Sequence, residues 1–388
     1  MPHLLRNQQG MILFTSLLIL SFLIALGVGS VVSVQSEYRI TDNLRSGTSA
    51  LYIAEAGAEW AKQQLLLSRE NPPVVADATR DFSNGQFSVA FLSSTRASPL
   101  ASEIVYRSDG RLRTATQTVQ AQVRKSYDLA DAALVLRGNS RGVQLAANSF
   151  AISGLDYDPI SATPLTDARE RPAISVGAAM QRAQFQDALN PSQRTFLTGT
   201  DSSGASISLS DRLASEAILR LVSGVCASAQ AQSATLPSEG RLLVADQVWG
   251  NSANPQIRCI EGLSQSGDQV SVNGSLIGAG ILVIRDVSLV LSGSFRWDGL
   301  VVITGNDVGV RVSGEESKEI YGALIVNETG PALGAGDPLV DVQGNVRIRF
   351  SRAALAAAAR LIPSVALDNL YSSLPAYMSQ DYWRIVTP

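Results

Sequence analysis

The sequence predicts an α+β protein. One long N-terminal helix carries a small antiparallel sheet. A β-rich body follows, read as a short parallel β-helix interrupted by helices. Three observations carry this. Met11 to Val34 is an uncharged, largely apolar run. Behind it, apolar residues recur at helical spacing as far as Leu65. After Pro73 the period drops to two, and Gly-led apolar runs then return at spacings of 19 and 23 residues. The expected divisions are a leader at 1–10, a membrane-spanning helix at 11–36, a helix with a β-meander at 37–126, and the β-rich body with a C-terminal helix at 127–388.

Composition excludes much chemistry. The chain has 388 residues, of which 17% are charged, and a net charge of −3. Soluble domains average roughly 25% charged residues, so a membrane span or an apolar β body is indicated. No basic excess exists to neutralise a phosphate backbone, and nucleic acid is not an expected partner. The single histidine is His3, so a Ser-His-Asp or Cys-His site in the body has no imidazole base. Cys226 and Cys259 are too few for a four-thiolate metal site. No cofactor is expected, and the chain is not expected to be an enzyme.

No charge separates Arg6 from Glu37. The 24 residues from Met11 to Val34 make a helix of about 36 Å, enough to cross a hydrocarbon core of about 30 Å. Arg6 and the free amine before the run favour a cytoplasmic N-terminus. A cleaved secretory signal would have a shorter apolar region and a small-residue cleavage site. A plain signal anchor fits the span. A third reading needs the residues before the run: Arg6-Asn7-Gln8-Gln9-Gly10, then Met11. A short polar, basic leader ends in Gly and abuts the apolar run.

That arrangement resembles the type IV prepilin leader, which is cut after its glycine by a prepilin peptidase. Asp42-Asn43-Leu44-Arg45 and Ala54-Glu55-Ala56-Gly57 resemble the N-terminal signature of PilX-type minor pilins. They are also similar to that of the large minor pseudopilin of type II secretion. The likeness covers residues 5–68. It implies cleavage between Gly10 and Met11, a mature N-terminus at Met11 that is N-methylated, other pilins and the pilus machinery as partners, and a body outside the inner membrane. Most pilins carry Glu at the fifth mature position, where this chain has Thr15. In the family that carboxylate pairs with a neighbour's N-terminal amine inside the apolar fibre, where an unpaired charge is costly. Thr15 therefore implies a minor or tip-associated subunit and not a shaft subunit.

The helix is expected to continue through residues 37–67. Leu44, Leu51, Ala58 and Leu65 recur every seven residues, as do Ile40, Gly47, Ala54 and Ala61. Together they draw an apolar stripe with a small-residue side that permits close approach. Asn71-Pro72-Pro73 ends it. Phe87, Val89 and Phe91 alternate behind Asn84-Gly85, and Ile104 and Tyr106 precede Asp109-Gly110. The latter pair is read as a hairpin turn.

A second β-rich region begins near Ala132, and helices are expected at 178–189 and 209–225, the latter starting at Ser210 or Asp211. From 240 on, Gly280, Gly299 and Gly322 each lead an apolar run. About twenty residues with two or three short strands fits one coil of a parallel β-helix. A β-sandwich is the rival. Residues 353–361 read as a helix capping the open end, with Tyr371, Tyr377, Tyr382 and Trp383 packed across it.

Cys226 and Cys259, 33 residues apart, make a disulfide if the body is outside the cytoplasm; two free thiols are the alternative. Asp156 and Asp158 are weak Ca²⁺ candidates, with turn-forming Asp the stronger reading. Asp298, Asp307, Glu315, Glu316 and Asp341 are acids that a β-helix glycosidase or lyase would need, but their spacing selects no pair. The function expected is a minor pilin-like subunit anchored in the inner membrane and later assembled through its helix. The alternatives are a type II secretion pseudopilin, or an anchored periplasmic β-helix that binds or cleaves carbohydrate. The secretion subunit's inserted domain is expected to be mostly helical, whereas this body reads β-rich.

Overall fold

The computed structural model describes residues 4–138, 142–146, 150–166, 169–263, 267–330 and 338–386, with side chains from Met11 onward. A single helix, α1 (Leu4–Leu67), opens the chain. Its apolar stripe is covered only in its last third, where Ala50, Ile53, Ala54, Ala58, Ala61 and Leu65 are buried. The cover is a meander of β1 (Ala78–Phe82), β2 (Gly85–Ser98), β3 (Ala101–Leu112) and β4 (Ala115–Tyr127). Alternate residues of these strands, among them Phe87, Val89, Ile104, Tyr106, Val119, Ala121 and Val123, meet the helix and form one core. Here α1 and β1–β4 are called the head.

The turns differ from expectation. Phe82 pairs with Gly85 and Leu112 with Ala115, so the two-residue turns are Ser83-Asn84 and Arg113-Thr114. Asp109-Gly110 is not a turn; it lies inside β3, opposite Thr118 and Gln117. Gly110 serves packing instead. A β-carbon there would meet the Ala50 carbonyl and lie 2.9 Å from the Ala54 Cα.

The body is a parallel β-helix, and the chain enters it in the middle. The first coil is β5 (Leu134–Gly138), β6 (Val143–Leu145) and β7 (Phe150–Ser153). The chain then moves outward through β8 (Ile174–Val176), α2 (Ala179–Ala188), β9 (Leu197–Thr198) and β10 (Ile207–Leu209). Helix α3 (Ser215–Cys226) crosses to the far end of the stack. From there the coils return: β11 (Ala231–Thr235), β12 (Arg241–Val244) and β13 (Gln247–Trp249); β14 (Gln256–Glu261), β15 (Gln269–Val272) and β16 (Ser275–Arg285). The last turns comprise β17 (Ser288–Leu291), β18 (Ser294–Gly305), β19 (Val310–Val312), β20 (Lys318–Glu328), β21 (Val340–Val342) and β22 (Val346–Phe350). Strand β20 lies beside β5, β21 beside β6 and β22 beside β7. The region from Ala132 is thus part of the same stack, and the final coil closes on the first.

The Gly-led runs mark a corner. The front halves of β16, β18 and β20 join the face that holds β13, β22 and β7. The back halves join β14 and β5. Gly280, Gly299 and Gly322 stack in register at the bend with φ of +111°, +145° and +140°. Only glycine adopts that region at little cost. A third face holds β12, β15, β17, β19, β21 and β6.

Beyond each corner every residue is buried, on both faces of the strand: Ile281–Ile284, Leu300–Ile303 and Ala323–Val326. The outer set needs a cover, and helices supply it. Helix α4 (Arg352–Ala359) lies across β16, β18 and β20. It flanks three coils and does not cap the open end. Helix α3 begins six residues later than the earliest expected position. Residues 207–209 are claimed by pairing with β8, and the Ser210 hydroxyl donates to Asp131 at 2.6 Å. Cys226 and Cys259 are disulfide-bonded, with a Cα separation of 5.9 Å, tying the end of α3 to β14.

After α5 (Ser364–Asp368) the chain returns to the head. Strand β23 (Ala376–Val386) pairs antiparallel with β4 as the fifth strand of that sheet. Tyr377, Tyr382 and Trp383 therefore belong to the head and do not lie over a solenoid cap. The cause is the long edge of β4, which would otherwise leave a row of backbone groups unpaired.

Candidate assembly surface and its anchorage

Among the described residues, the uncovered part of α1 presents a long continuous run of exposed apolar side chains. Met11, Leu13, Phe14, Leu17, Phe22 and Leu23 are 58–70% exposed, and Ile40 and Leu44 continue the stripe at 57% and 67%. Four hydroxyls within the run, those of Thr15, Ser16, Ser21 and Ser30, are satisfied locally. Thr15 donates to the carbonyls of Met11 (2.9 Å) and Ile12 (3.0 Å), Ser21 to Leu17, and Ser30 to Gly27. Such back-bonding keeps polar groups paired where no water reaches. Gly10 lies within α1, one residue before the first described side chain, and His3 lies outside the described residues. Thr15 is exposed and offers no charge to a neighbour.

The 54–57 motif has a packing role. A β-carbon on Gly57 would fall 2.9 Å from the Phe87 ring and against the Ser108 hydroxyl. Ala54, Ala58 and Ala61 are at most 2% exposed. The small residues let the helix lie directly on the sheet. Asp42 reaches Arg113 at 3.5 Å, both largely exposed; such a pair contributes little.

Two polar networks, each with a buried centre at Asn71 or Asp128, fix the head to the body. Asn71 donates to the Pro99 carbonyl and to the Tyr371 hydroxyl (3.0 and 3.2 Å), and Tyr371 donates to Pro99 at 2.6 Å. Arg96 donates to the Asn71 carbonyl and pairs with Asp368 at 3.0 Å. In the second network Asp128 is paired with Arg171 and, at 3.2 Å, with Arg352. Arg352 also donates to Asp156 through its side chain (3.0 Å) and its backbone N–H (2.7 Å). Both guanidiniums stack on Tyr377 of β23, at 5.3 and 5.4 Å.

Asp156 is thus an ion-pair partner, its carboxyl pushed up by burial against the pull of Arg352. Asp158 caps a turn by accepting from the Ile160 and Ser161 amides. The two aspartates serve separate contacts. Among the described residues no group of three metal-ligating side chains occurs. Asp298 pairs with Arg296, Asp341 with Arg311 and Glu316 with Lys318.

At the end of α1, Lys125 is fully buried and donates to the Ser68 carbonyl at 2.6 Å. Burial lowers its pKa to about 8. Burial also raises the hydroxyls of Tyr106 and Tyr127 well above the ordinary tyrosine range. The Asp128–Arg352–Tyr377 network carries no local sequence signal, because Asp128 lies 224 residues before Arg352.

No protein-family profile matches the chain, and no curated protein matches it. Among solved structures, the competence-associated pilin ComZ from Thermus thermophilus aligns over 88% of this chain and 97% of its own, at 11% identity and a TM-score of 0.24. A likeness at that level carries no argument about fold or function.

Proposed function

We propose that the chain is a minor subunit of a type IV pilus, of the PilX-like kind, with a structural and not a catalytic role. Helix α1 holds it in the inner membrane as a single span, with head and body on the periplasmic side. On assembly the same helix packs among those of other pilins.

One observation carries the reading. The head covers the apolar side of α1 from Ala50 onward, while the apolar run Met11 to Val34 is exposed on every face, and Ile40 and Leu44 beyond it are exposed as well. The exposed 24-residue apolar run Met11 to Val34, with Ile40 and Leu44 beyond it, is stable only in lipid or against other helices. A bilayer accepts the first part and a fibre core accepts all of it. The Gly10-Met11 junction supports removal of the leader by a prepilin peptidase. Thr15 supports a place at or near the tip, since it supplies no carboxylate for a following subunit. The β-helix body supports a pilus component over the secretion pseudopilin.

Substituting Leu23→Arg tests the reading. A charge at mid-span costs about 2.5–3.5 kcal/mol in insertion. The variant is expected to fall sharply in the membrane fraction and to disappear from sheared filaments. Wild-type levels in the filaments would contradict the proposal.

A further inference from the structure

The two ends of the solenoid differ. At one end α2 lies against β6, β8 and β10. At the other the last coil is bare. Among the described residues β11 pairs only with β14, β12 only with β15 and β13 only with β16. Helix α3 runs alongside β11 and β14, and no helix covers β12 or β13. Leu242 and Trp249 point into the solenoid, in register with Val270 and Gly278. They are only half-buried, because no further coil lies over them. On the outer face of the same strands Leu243 and Val248 are 61% and 68% exposed.

Three open edges around one coil are a template for further strands. Folded proteins guard such edges with lysine, proline or bulges. These three strands contain no lysine and no proline. Arg241 is their single charge, and Glu239 and Asp246 at the adjoining corners keep the end close to neutral. Two identical ends therefore meet without strong like-charge repulsion. An extended peptide would cover one edge of the three. A second copy brings three edges with the same spacing and outline.

We propose that this open end is a self-docking surface, on which a second copy of the chain seats its own last coil. A two-fold axis in the plane of the coil reverses the direction of winding, so all strands meet antiparallel. Strand β11 then faces β11 of the second copy, and β12 of each copy faces β13 of the other. The edges gain backbone hydrogen-bond partners. Leu242 and Trp249 are covered, and the outward Leu243 comes beside Val248 of the second copy.

The test measures the mass of the full chain in detergent micelles by analytical ultracentrifugation over a range of concentrations. A reversible dimer is expected, with hydrogen exchange slowed in β11, β12 and β13 as it forms. Leu243→Lys combined with Val248→Lys sets like charges opposite each other at both outer contacts and should weaken the dimer about tenfold. Leu243→Lys combined with Val248→Glu makes the same contacts attractive and should restore it. Both side chains are exposed, so the fold is kept in each variant.

A monomer at every concentration would overturn the proposal. So would a dimer that is indifferent to the two lysines, since it would form through α1 or another surface. A Lys–Glu variant as weak as the Lys–Lys one would overturn the pairing of β12 with β13.

Discussion

Gly110 of β3 lies directly beneath Ala54 of α1, with no room for a side chain between them. A β-carbon on the glycine would sit 2.9 Å from the Ala54 Cα and press on the Ala50 carbonyl. Backbone atoms of a packed helix cannot step aside as a flexible side chain does. Gly110→Ala is therefore expected to destabilise the head by about 1–3 kcal/mol, the usual cost of overpacking. Thermal unfolding of the full chain in detergent checks this. An unchanged midpoint would show that the helix shifts freely on the sheet.

Lys125 gives the head a pH dependence. Its folded pKa is about 8, against about 10.5 when solvated. Between those values the unfolded chain binds a proton that the folded chain does not, so stability rises with pH. This contribution is lost as pH falls through 8. Tyr106 and Tyr127 act in the opposite sense: their raised pKa values favour the folded state up to about pH 10, and the benefit is lost above it. The unfolding midpoint is expected to rise from pH 8 to about 10 and then fall. Lys125→Met should abolish the rise and keep the fall.

The Cys226–Cys259 bond closes 33 residues of chain around the far end of the solenoid. By the loop-entropy estimate its loss costs about 3–4 kcal/mol. The double Cys→Ser variant is expected to show faster hydrogen exchange in α3, β11 and β14, with β2–β4 unchanged. Equal loosening of head and body would contradict a local role.

The parts legible in the sequence were those with a local pattern. The uncharged run and the stripe through Ala54, Ala58 and Leu65 each depend on near neighbours along the chain. The corner glycines were legible for the same reason, because each coil repeats the bend at Gly280, Gly299 and Gly322. Coil order was not. The Gly-led motif says that a strand stacks but not on which neighbour, so β5 beside β20 had no signature. The C-terminal strand was missed because its partner, β4, lies some 250 residues earlier. Asp109-Gly110 misled because a turn and a close helix contact both select glycine.

The measurement that bears most directly on the account is the intact mass and N-terminal sequence of the protein purified from its host's membranes, with and without the prepilin peptidase. The account predicts a chain that begins at Met11 only when the peptidase is present. A chain that retains residues 1–10 in both strains would contradict it and leave α1 as a simple membrane anchor.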